Sequence, residues 1–367
     1  MRYLLTADLQ IQKGPRLLDV KRSLNFMRDY AIKEGIDNVM VLGDIYERND
    51  IVAGSEEEDI FVEFISSLLM KNKSVYVLAG NHDIINEEQN VLGTLRKFSQ
   101  GLCSKSLHVI TEPFRRIVNG ELPMLFIPYL TKGQIKESGM SYRQLMLHLI
   151  AGYAPKEPYI LFTHCDITEA EPERGAYKRP DAISAKHDLA KIENLMWCFA
   201  GHVHKHQVMH NAMYCGSPVH TTFASGNDPK GFVDVWYDKG EIKWEFIQIP
   251  GRMQIELTFD MDDDEKEFVD QFCTTEDIPD SIVKLRLVYD YKKFDSDKAS
   301  YIERALQENG AHYVMRTPMQ KSASKLEEIE QDSYDDNIIL EAYLNKILGI
   351  GKTDEYVELA QEYMSII

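Results

Sequence analysis

Five short polar phrases along the chain carry side chains that could bind metal ions. Each phrase directly follows an apolar run: TAD at 6–8, GDIYER at 43–48, GNHD at 80–83, THCD at 163–166 and GHVH at 201–204. Their carboxylates, amide and imidazoles mix oxygen and nitrogen donors, which suits Mn²⁺, Fe or Zn²⁺ better than Ca²⁺. One such phrase occurs by chance in most proteins of this length, whereas an ordered set of five does not. The sequence therefore predicts a metal centre built from several strand ends.

A centre of this kind points to phosphoester chemistry. Two divalent ions about 3.5 to 4 Å apart, bridged by one carboxylate, can hold both a nucleophile and a phosphate oxygen. Hydrolysis of a phosphodiester is the reaction that such a pair of ions suits best.

The elements that must position these phrases alternate between strands and helices. The runs RYLLTAD, NVMVLGD and SVYVLAGNHD are separated by helical patterns at 17–34 and 56–71, which is typical of βαβ units. A second block of strand patterns begins at 107, includes a helical pattern near 132–151, and continues to about 249. This order predicts two β-sheets packed face to face and flanked by helices.

The chain changes character after Pro250 and Gly251. Residues 250–320 combine strand patterns with one helical pattern, which predicts a small α/β domain. Residues 321–367 are acidic and helical, and two glycines separate a pair of apolar-faced helices, so we expect a helical hairpin there. The pattern leaves open whether this hairpin docks on a partner or folds back on its own domain. The expected domains are therefore 1–249, 250–320 and 321–367.

Composition excludes several classes of protein. The 367 residues include 41 basic and 59 acidic side chains, and the net charge of −18 argues against coating of nucleic acid by bulk electrostatics. The apolar runs are far shorter than the roughly 20 residues of a membrane-spanning helix, and no signal-peptide pattern begins the chain. Five dispersed cysteines without a C-x-x-C pair argue against a disulfide framework or a structural zinc site. We therefore expect a soluble, cytoplasmic protein.

The ordered phrases resemble the signature of the calcineurin-like metallophosphoesterases, whose motifs read DxH, GDxx, GNHD/E, H and GHxH. Within that group the chain is most similar to the SbcD-type DNA double-strand-break repair nucleases, including their phage counterparts. The similarity rests on GDIYER, LAGNHD and GHVH, and on CGSPVHTTFASGNDPKGF, which resembles the segment that closes their nuclease domain. It covers residues 1 to about 240. It implies a four-layer α/β fold of two packed mixed β-sheets flanked by helices, followed by a small α/β capping domain and a C-terminal helical hairpin.

The resemblance also implies a role for each residue of the phrases. His82 would face the scissile phosphate and help to protonate the leaving oxygen or stabilise the developing charge. Asp83 would orient His82 or its loop. The cofactors would be two divalent ions, Mn²⁺ or else Mg²⁺, with a hydroxide between them attacking phosphorus in line. The implied ligands are Asp8 and His204 for one ion, Asn81, His164 and His202 for the other, and Asp44 as the bridge.

One position departs from the family motif. Where DxH has its histidine, this chain has Gln10. An amide oxygen binds a divalent ion more weakly than an imidazole does, so we expect Gln10 to be a weak ligand. Gln12 is the less favoured substitute. The ion held by Asp8 and His204 is then expected to bind loosely, or only when a substrate phosphate completes its site.

The function implied by the resemblance is a Mn-dependent DNA exonuclease and endonuclease of an SbcCD-like repair and recombination complex, in a bacterial or phage-infected cell. Its partners would be DNA, an SbcC-type coiled-coil ATPase bound through residues 321–367, and a second copy bound through helices of the N-terminal half. Arg174, Lys178 and Arg179 lie in a loop between two metal phrases, where they are either solvated or contact DNA phosphate.

Two other functions stay open at this point. One is a metallophosphatase or cyclic-nucleotide phosphodiesterase of the same superfamily, and the other is a catalytically weakened scaffold subunit. The long extension beyond the catalytic domain favours the nuclease over a small-molecule phosphatase. The presence of Asp44, His82 and GHVH argues against the scaffold.

Overall fold

The computed structural model describes residues 1–87, 89–101, 105–117, 121–171, 179–223, 226, 228–290 and 293–321. The chain divides into two compact units, Met1–Gln254 and Ile255–Ile367. The helical hairpin expected at 321–367 lies outside the described residues, apart from Lys321. Within the described ranges, every helix is too short or too polar to span a lipid bilayer.

Six strands form the first sheet of the N-terminal unit: β1 (Arg2–Thr6), β2 (Asn38–Leu42), β3 (Ser74–Leu78), β4 (Leu107–Ile110), β11 (Gly231–Asp238) and β12 (Glu241–Gln248). Their order is β12-β11-β1-β2-β3-β4. The strands β1 to β4 are parallel, and β11 and β12 join antiparallel at one side. The carboxyl ends of β1, β2 and β3 therefore meet at one edge of the sheet.

Six further strands form the second sheet: β5 (Phe114–Arg116), β6 (Met124–Ile127), β7 (Tyr159–His164), β8 (Leu195–Gly201), β9 (Gln207–Met209) and β10 (Ala212–Tyr214). Their order is β5-β6-β7-β8-β10-β9. The four central strands are parallel, and the two outer strands are antiparallel to their neighbours. Both sheets are thus mixed, as the resemblance implied.

Alternate residues of the strands enter different hydrophobic cores, as the two-residue period of a strand requires. In β2, Val39 and Val41 pack with the helices on the outer face, whereas Met40 and Leu42 enter the core between the sheets together with Phe162. A third core covers the outer face of the second sheet. The flanking helices are α1 (Leu17–Lys33), α2 (Glu56–Met70), α3 (Gly93–Gln100), α4 (Lys132–Ser138) and α5 (Tyr142–Tyr153). The expected four-layer α/β arrangement is confirmed.

The helix expected near 132–151 is in fact two helices. The first, α4, ends at Ser138 and is capped by Gly139, whose φ of 67° is left-handed and so favours glycine. Ser141 then begins α5 with a capping box, in which its side chain accepts from the Gln144 amide and the Gln144 side chain accepts from its backbone. The apolar pattern alone did not reveal this break.

The second unit is a small α/β structure of its own. It contains β13 (Gln254–Asp260), α6 (Glu265–Phe268) with a π-helical turn at Val269–Cys273, β14 (Ile282–Tyr289), α7 (Ser296–Glu308) and β15 (Tyr313–Gln320). The strands form one sheet in the order β13-β14-β15. Phe259, Leu285 and Ile302 are fully buried in its core. The strand and helix patterns of residues 250–320 predicted this composition.

Candidate metal centre

The ligand candidates sit at or just beyond the ends of five strands. Asp8 follows β1, Asp44 follows β2 and Asn81 follows β3, all at one edge of the first sheet. His164 is the last residue of β7, and His202 directly follows β8. The two packed sheets therefore bring the five phrases to one place.

Several of these residues adopt a left-handed backbone conformation that side chains other than glycine rarely take. The φ angles are 52° at Asp8, 43° at Gln10, 51° at Asp44 and 108° at His202. Such a conformation costs about 1 kcal/mol or more for each residue. Two backbone hydrogen bonds join the turn after β1 to the turn after β2. The Asp8 amide donates to the Gly43 carbonyl (3.0 Å), and the Gln10 amide donates to the Asp44 carbonyl (3.1 Å). The fold thus maintains these unfavourable backbone angles, which direct the candidate ligand side chains toward one another.

His164 is fully buried and its tautomer follows from its contacts. Its Nδ1 lies 2.8 Å from the carbonyl oxygen of Leu42, and because a carbonyl only accepts, Nδ1 carries the hydrogen. Its Nε2 lies 3.0 Å from Oδ1 of Asn81 and 3.4 Å from Oδ2 of Asp44. In the neutral imidazole, the Nε2 lone pair therefore faces two oxygen atoms.

The same arrangement occurs at His202. Its Nε2 lies 3.2 Å from a carboxylate oxygen of Asp166, which can only accept when it is ionised. Its Nδ1 lies 2.8 Å from Oδ1 of Asn81, so a second lone pair points at the amide oxygen. The backbone amide of His202 donates to both carboxylate oxygens of Asp8, at 2.9 and 3.1 Å.

Lone pairs that converge in this way repel one another unless a proton or a metal ion lies among them. Donor atoms bound to one ion at about 2.1 Å and at right angles are separated by about 3 Å. The separations around Asn81 match this value. Within the described part of the chain, Asp44, His164 and His202 form a group whose donor atoms all lie within 4.8 Å of one another. The residues therefore fit a divalent ion.

The charges of the centre also favour a cation. Burial acts to lower the pKa of His164, yet the carboxylates of Asp44 and Asp8 raise it to about 9. Burial acts to raise the pKa of Asp44, but His164 and His82 lower it to about 2. Asp8 is fully buried, and this burial raises its pKa. A site that stabilises a positive imidazole so strongly also stabilises a metal ion.

Gln10 and His204 form a second group of candidate ligands. The Gln10 side chain is buried and its amide nitrogen lies 2.9 Å from Nε2 of His204. A half-turn of the amide would place its oxygen at the same point. The other ring nitrogen of His204, Nδ1, lies 3.0 Å from the hydroxyl of Thr221, and this contact restricts the orientation of the ring. Gln12, the less favoured substitute, instead lines a cleft with Lys13 and Val52.

His82 lies beside the ligands with one ring nitrogen turned toward them. Its Nδ1 is 2.7 Å from the carbonyl oxygen of Glu47, so Nδ1 carries a hydrogen. Its Nε2 is 4.0 Å from Oδ2 of Asp44, and about a third of the side chain (34%) is exposed. An open cleft of about 410 Å³ adjoins it, lined by Glu47, Arg48, Asn49, Asp50, Asn81 and His82. His82 can therefore reach a molecule in this cleft through Nε2.

Asp83 holds the two turns that carry His82 and Asp44. It is fully buried and accepts hydrogen bonds from the amides of Ile45 (3.0 Å) and Gly80 (2.8 Å). Burial and the charge of Asp44 raise the pKa of Asp83 to about 7. These contacts correspond to the loop-orienting alternative for Asp83.

Sequence reasoning missed Asp166 and Tyr129. Asp166 contacts His202 as described, and the ring of Tyr129 lies 6.0 Å from that of His202 and 6.2 Å from that of His164. Asp166 is two residues beyond His164, which in extended chain places both on the same side. That spacing was a usable signal. No comparable signal marks Tyr129.

Arg179 is not a solvated loop residue. Its Nε lies 2.9 Å from Asp166, and its side chain is 20% exposed. Its guanidinium lies 4.4 Å from the ring centre of Tyr142. The two other basic residues predicted with it, Arg174 and Lys178, lie outside the described residues.

Comparison with known proteins bears on this geometry. Residues 1–206 match the calcineurin-like phosphoesterase family. The chain belongs to this family. The matched range includes every ligand candidate named above. The coarser expectation of a metal-binding phosphoesterase fold is thereby confirmed for this calcineurin-like phosphoesterase.

Similarity to individual proteins is weaker. The crystal structure of a dimetal phosphatase from Danio rerio matches with 12% sequence identity and a TM-score of 0.42. The match covers 67% of this chain and 95% of that one. Among proteins of curated function, none matches the chain.

Proposed function

We propose that this calcineurin-like phosphoesterase is a Mn²⁺-dependent DNA exonuclease and endonuclease, the nuclease subunit of an SbcCD-like repair and recombination complex. The observation that carries the proposal is the position of His82, which lines an open cleft while its Nε2 lies 4.0 Å from Oδ2 of Asp44. The resemblance of GDIYER and of the segment around GSP to nuclease sequences selects DNA among phosphoesters.

The donor set allows two divalent ions. Asp44, Asn81, His164 and His202 would hold one, and Asp8, Gln10 and His204 the other, with Asp44 near both. Bound there, such ions would neutralise phosphate charge and make a water molecule more acidic.

The remaining steps belong to the protein. With its Nδ1 hydrogen held by the carbonyl of Glu47, His82 can present a proton at Nε2 when the ring is charged. That proton would pass to the leaving oxygen of the cleaved ester, a contribution of typically 10²- to 10⁴-fold. Arg48 is 72% exposed at the same cleft and is paired there with Asp50 (2.7 Å). On binding a polynucleotide it would exchange this carboxylate for a neighbouring phosphate. A second phosphate is present in a polynucleotide and absent from a small monoester.

The proposed partners follow from the same resemblance. A coiled-coil ATPase would bind residues 321–367 and add positive charge that this acidic chain lacks. A second copy would bind through helices of the N-terminal half, where α1 and α2 expose apolar side chains, namely Leu18, Phe26, Ile32, Val62 and Met70. Sedimentation of the purified chain, with Val62→Glu as the interface variant, tests the dimer.

The decisive experiment compares four substrates with the purified chain in Mn²⁺ or Mg²⁺: single-stranded DNA, double-stranded DNA, a nitrophenyl phosphodiester and a nitrophenyl phosphomonoester. We expect cleavage of DNA and of the diester. The His82→Ala variant should cleave DNA at least 10²-fold more slowly than the wild type and should keep the wild-type affinity for Mn²⁺. His148→Ala, which removes an exposed histidine on α5, serves as the control.

Two outcomes contradict the proposal. Hydrolysis of the monoester alone would make the chain a phosphatase. Failure to cleave any substrate, with every metal and with the ATPase partner present, would leave only a scaffold role.

A further inference from the structure

A chain of three side chains leads outward from the metal centre. His202 contacts Asp166 through Nε2 (3.2 Å to Oδ1), and Asp166 contacts Arg179 through its other oxygen (2.9 Å from Nε to Oδ2). Only 15% of the Asp166 side chain and 20% of the Arg179 side chain are exposed. Water therefore competes little for these contacts.

The first contact decides which nitrogen of His202 can bind a metal. An ionised carboxylate only accepts hydrogen bonds, so Asp166 requires the hydrogen of the neutral ring on Nε2. The lone pair is then on Nδ1, which lies 2.8 Å from Asn81 within the ligand group. Without Asp166, the ring could hold its hydrogen on either nitrogen and could rotate away.

The second contact fixes the carboxylate itself. Arg179 also lies 3.7 Å from Asp181 and packs over the ring of Tyr142, which restricts the guanidinium on two further sides. The guanidinium thus holds the Asp166 carboxylate in one orientation.

We propose that Asp166, held by Arg179, is a positioning residue that presents Nδ1 of His202 to the metal ion shared with Asp44, Asn81 and His164. The inference rests on the metal centre of the proposed function and is independent of the DNA substrate. Carboxylates that orient a ligand histidine typically account for 10- to 100-fold in metal affinity.

The test is a calorimetric titration of the full chain with Mn²⁺. Asp166→Asn offers one oxygen, which cannot serve both His202 and Arg179, so we expect Mn²⁺ to bind 10- to 100-fold more weakly. The matched control is Asp188→Asn. Asp188 also binds a guanidinium, that of Arg143, through both of its oxygens (2.8 and 2.6 Å). Its side chain is 6% exposed, and within the described part of the chain its hydrogen-bond and ion-pair partners include no ligand histidine. This control should keep the wild-type affinity.

Two further measurements separate positioning from a general structural effect. The visible spectrum of bound Co²⁺ should change in Asp166→Asn and stay unchanged in Asp188→Asn, because only the first alters a ligand. Asp166→Glu keeps the negative charge and should recover part of the affinity. If Asp166→Asn does not fold, Arg179→Gln replaces it, with a smaller loss of affinity expected.

Wild-type affinity in Asp166→Asn, or equal losses in Asp166→Asn and Asp188→Asn, would overturn the inference. Failure of the nuclease proposal is distinguishable. A wild-type chain that binds Mn²⁺ and cleaves no DNA contradicts the proposed substrate, whereas the affinity difference between the variants would still support the role of Asp166.

Discussion

Gly201, the last residue of β8, lies directly against the carbonyl oxygen of Leu42 at the end of β2. A β-carbon at position 201 would overlap this oxygen, and it would also crowd Nδ1 of His164, which donates to the same carbonyl. The two sheets thus approach each other closely beside the metal centre, and only glycine permits that approach.

Gly201→Ala should therefore impair both stability and metal binding. The methyl group meets backbone rather than a flexible side chain, so we expect a loss of about 1 to 3 kcal/mol in unfolding free energy. Urea unfolding and Mn²⁺ titration measure the two effects. Gly152→Ala is the control, because this helical glycine in α5 has open space around it and alanine favours helix. Equal stability of the two variants would show that the sheets can separate at low cost.

Gln10→His should strengthen metal binding. It restores an imidazole beside His204, where the amide now lies 2.9 Å from Nε2. We expect Mn²⁺ affinity to rise about tenfold, equivalent to about 1.4 kcal/mol. Gln12→His is the control: it places an imidazole in a different cleft and should leave the Mn²⁺ affinity unchanged. Unchanged affinity in Gln10→His would mean that position 10 does not limit the site.

Asp83→Asn should lower the unfolding free energy more than the same substitution at an exposed helix cap. An asparagine retains one acceptor for the two buried amides of Ile45 and Gly80, so one amide loses its partner at a cost of about 1 to 3 kcal/mol. Asp264→Asn is the matched control, since Asp264 also accepts from two amides, but in an exposed helix cap. Thermal unfolding compares them. A smaller effect at position 83 than at position 264 would contradict this account.

His108 should make the fold sensitive to acid. Burial and the charge of Arg116 lower the pKa of His108 to about 4, and its ring stacks on Tyr76 at 4.6 Å. Because the folded pKa lies below the unfolded value of about 6.5, the neutral ring stabilises the fold above pH 6.5, and this contribution is lost as pH falls toward 4. After allowing for its partial exposure, we expect about 1 to 2 kcal/mol.

The measurement is the unfolding free energy at pH 7.5 and pH 4.5. His108→Gln can still accept from Arg116 but does not titrate, so its loss between the two pH values should be smaller than that of the wild type. His148→Gln, at an exposed position, should behave as the wild type does. Identical pH dependence of wild type and His108→Gln would exclude His108 as the cause.

The sequence predicted most of the fold because its apolar runs have clear periods. Alternating residues of β2 divide between two cores, and each metal phrase follows a strand, so topology alone brings the ligands together. The break between α4 and α5 was missed because the apolar pattern continues across it. Gly139 and the capping box at Ser141 mark the break locally, and both could have been read.

The candidate site was predictable where a residue belongs to a phrase and less so where tertiary packing supplies it. His164 and His202 were assigned from their phrases. Arg179 reaches Asp166 from 13 residues further along the chain. Tyr129 lies against the histidines because β6, β7 and β8 run parallel as neighbours in one sheet, so that the residues beyond their ends meet. Contacts between separate segments depend on the whole fold rather than on spacing in the chain.

The left-handed turns at Asp8, Asp44 and His202 have a consequence for directed evolution of this protein. Glycine relieves an unfavourable backbone angle, but at Asp8 and Asp44 it would also remove a carboxylate that accepts from backbone amides. A library screened for heat resistance alone should therefore enrich glycine at His202, whose backbone amide still donates to Asp8. Such a variant would be more stable and would have lost a metal ligand. Selection for thermostability must therefore be coupled to a screen for metal binding if it is to preserve activity.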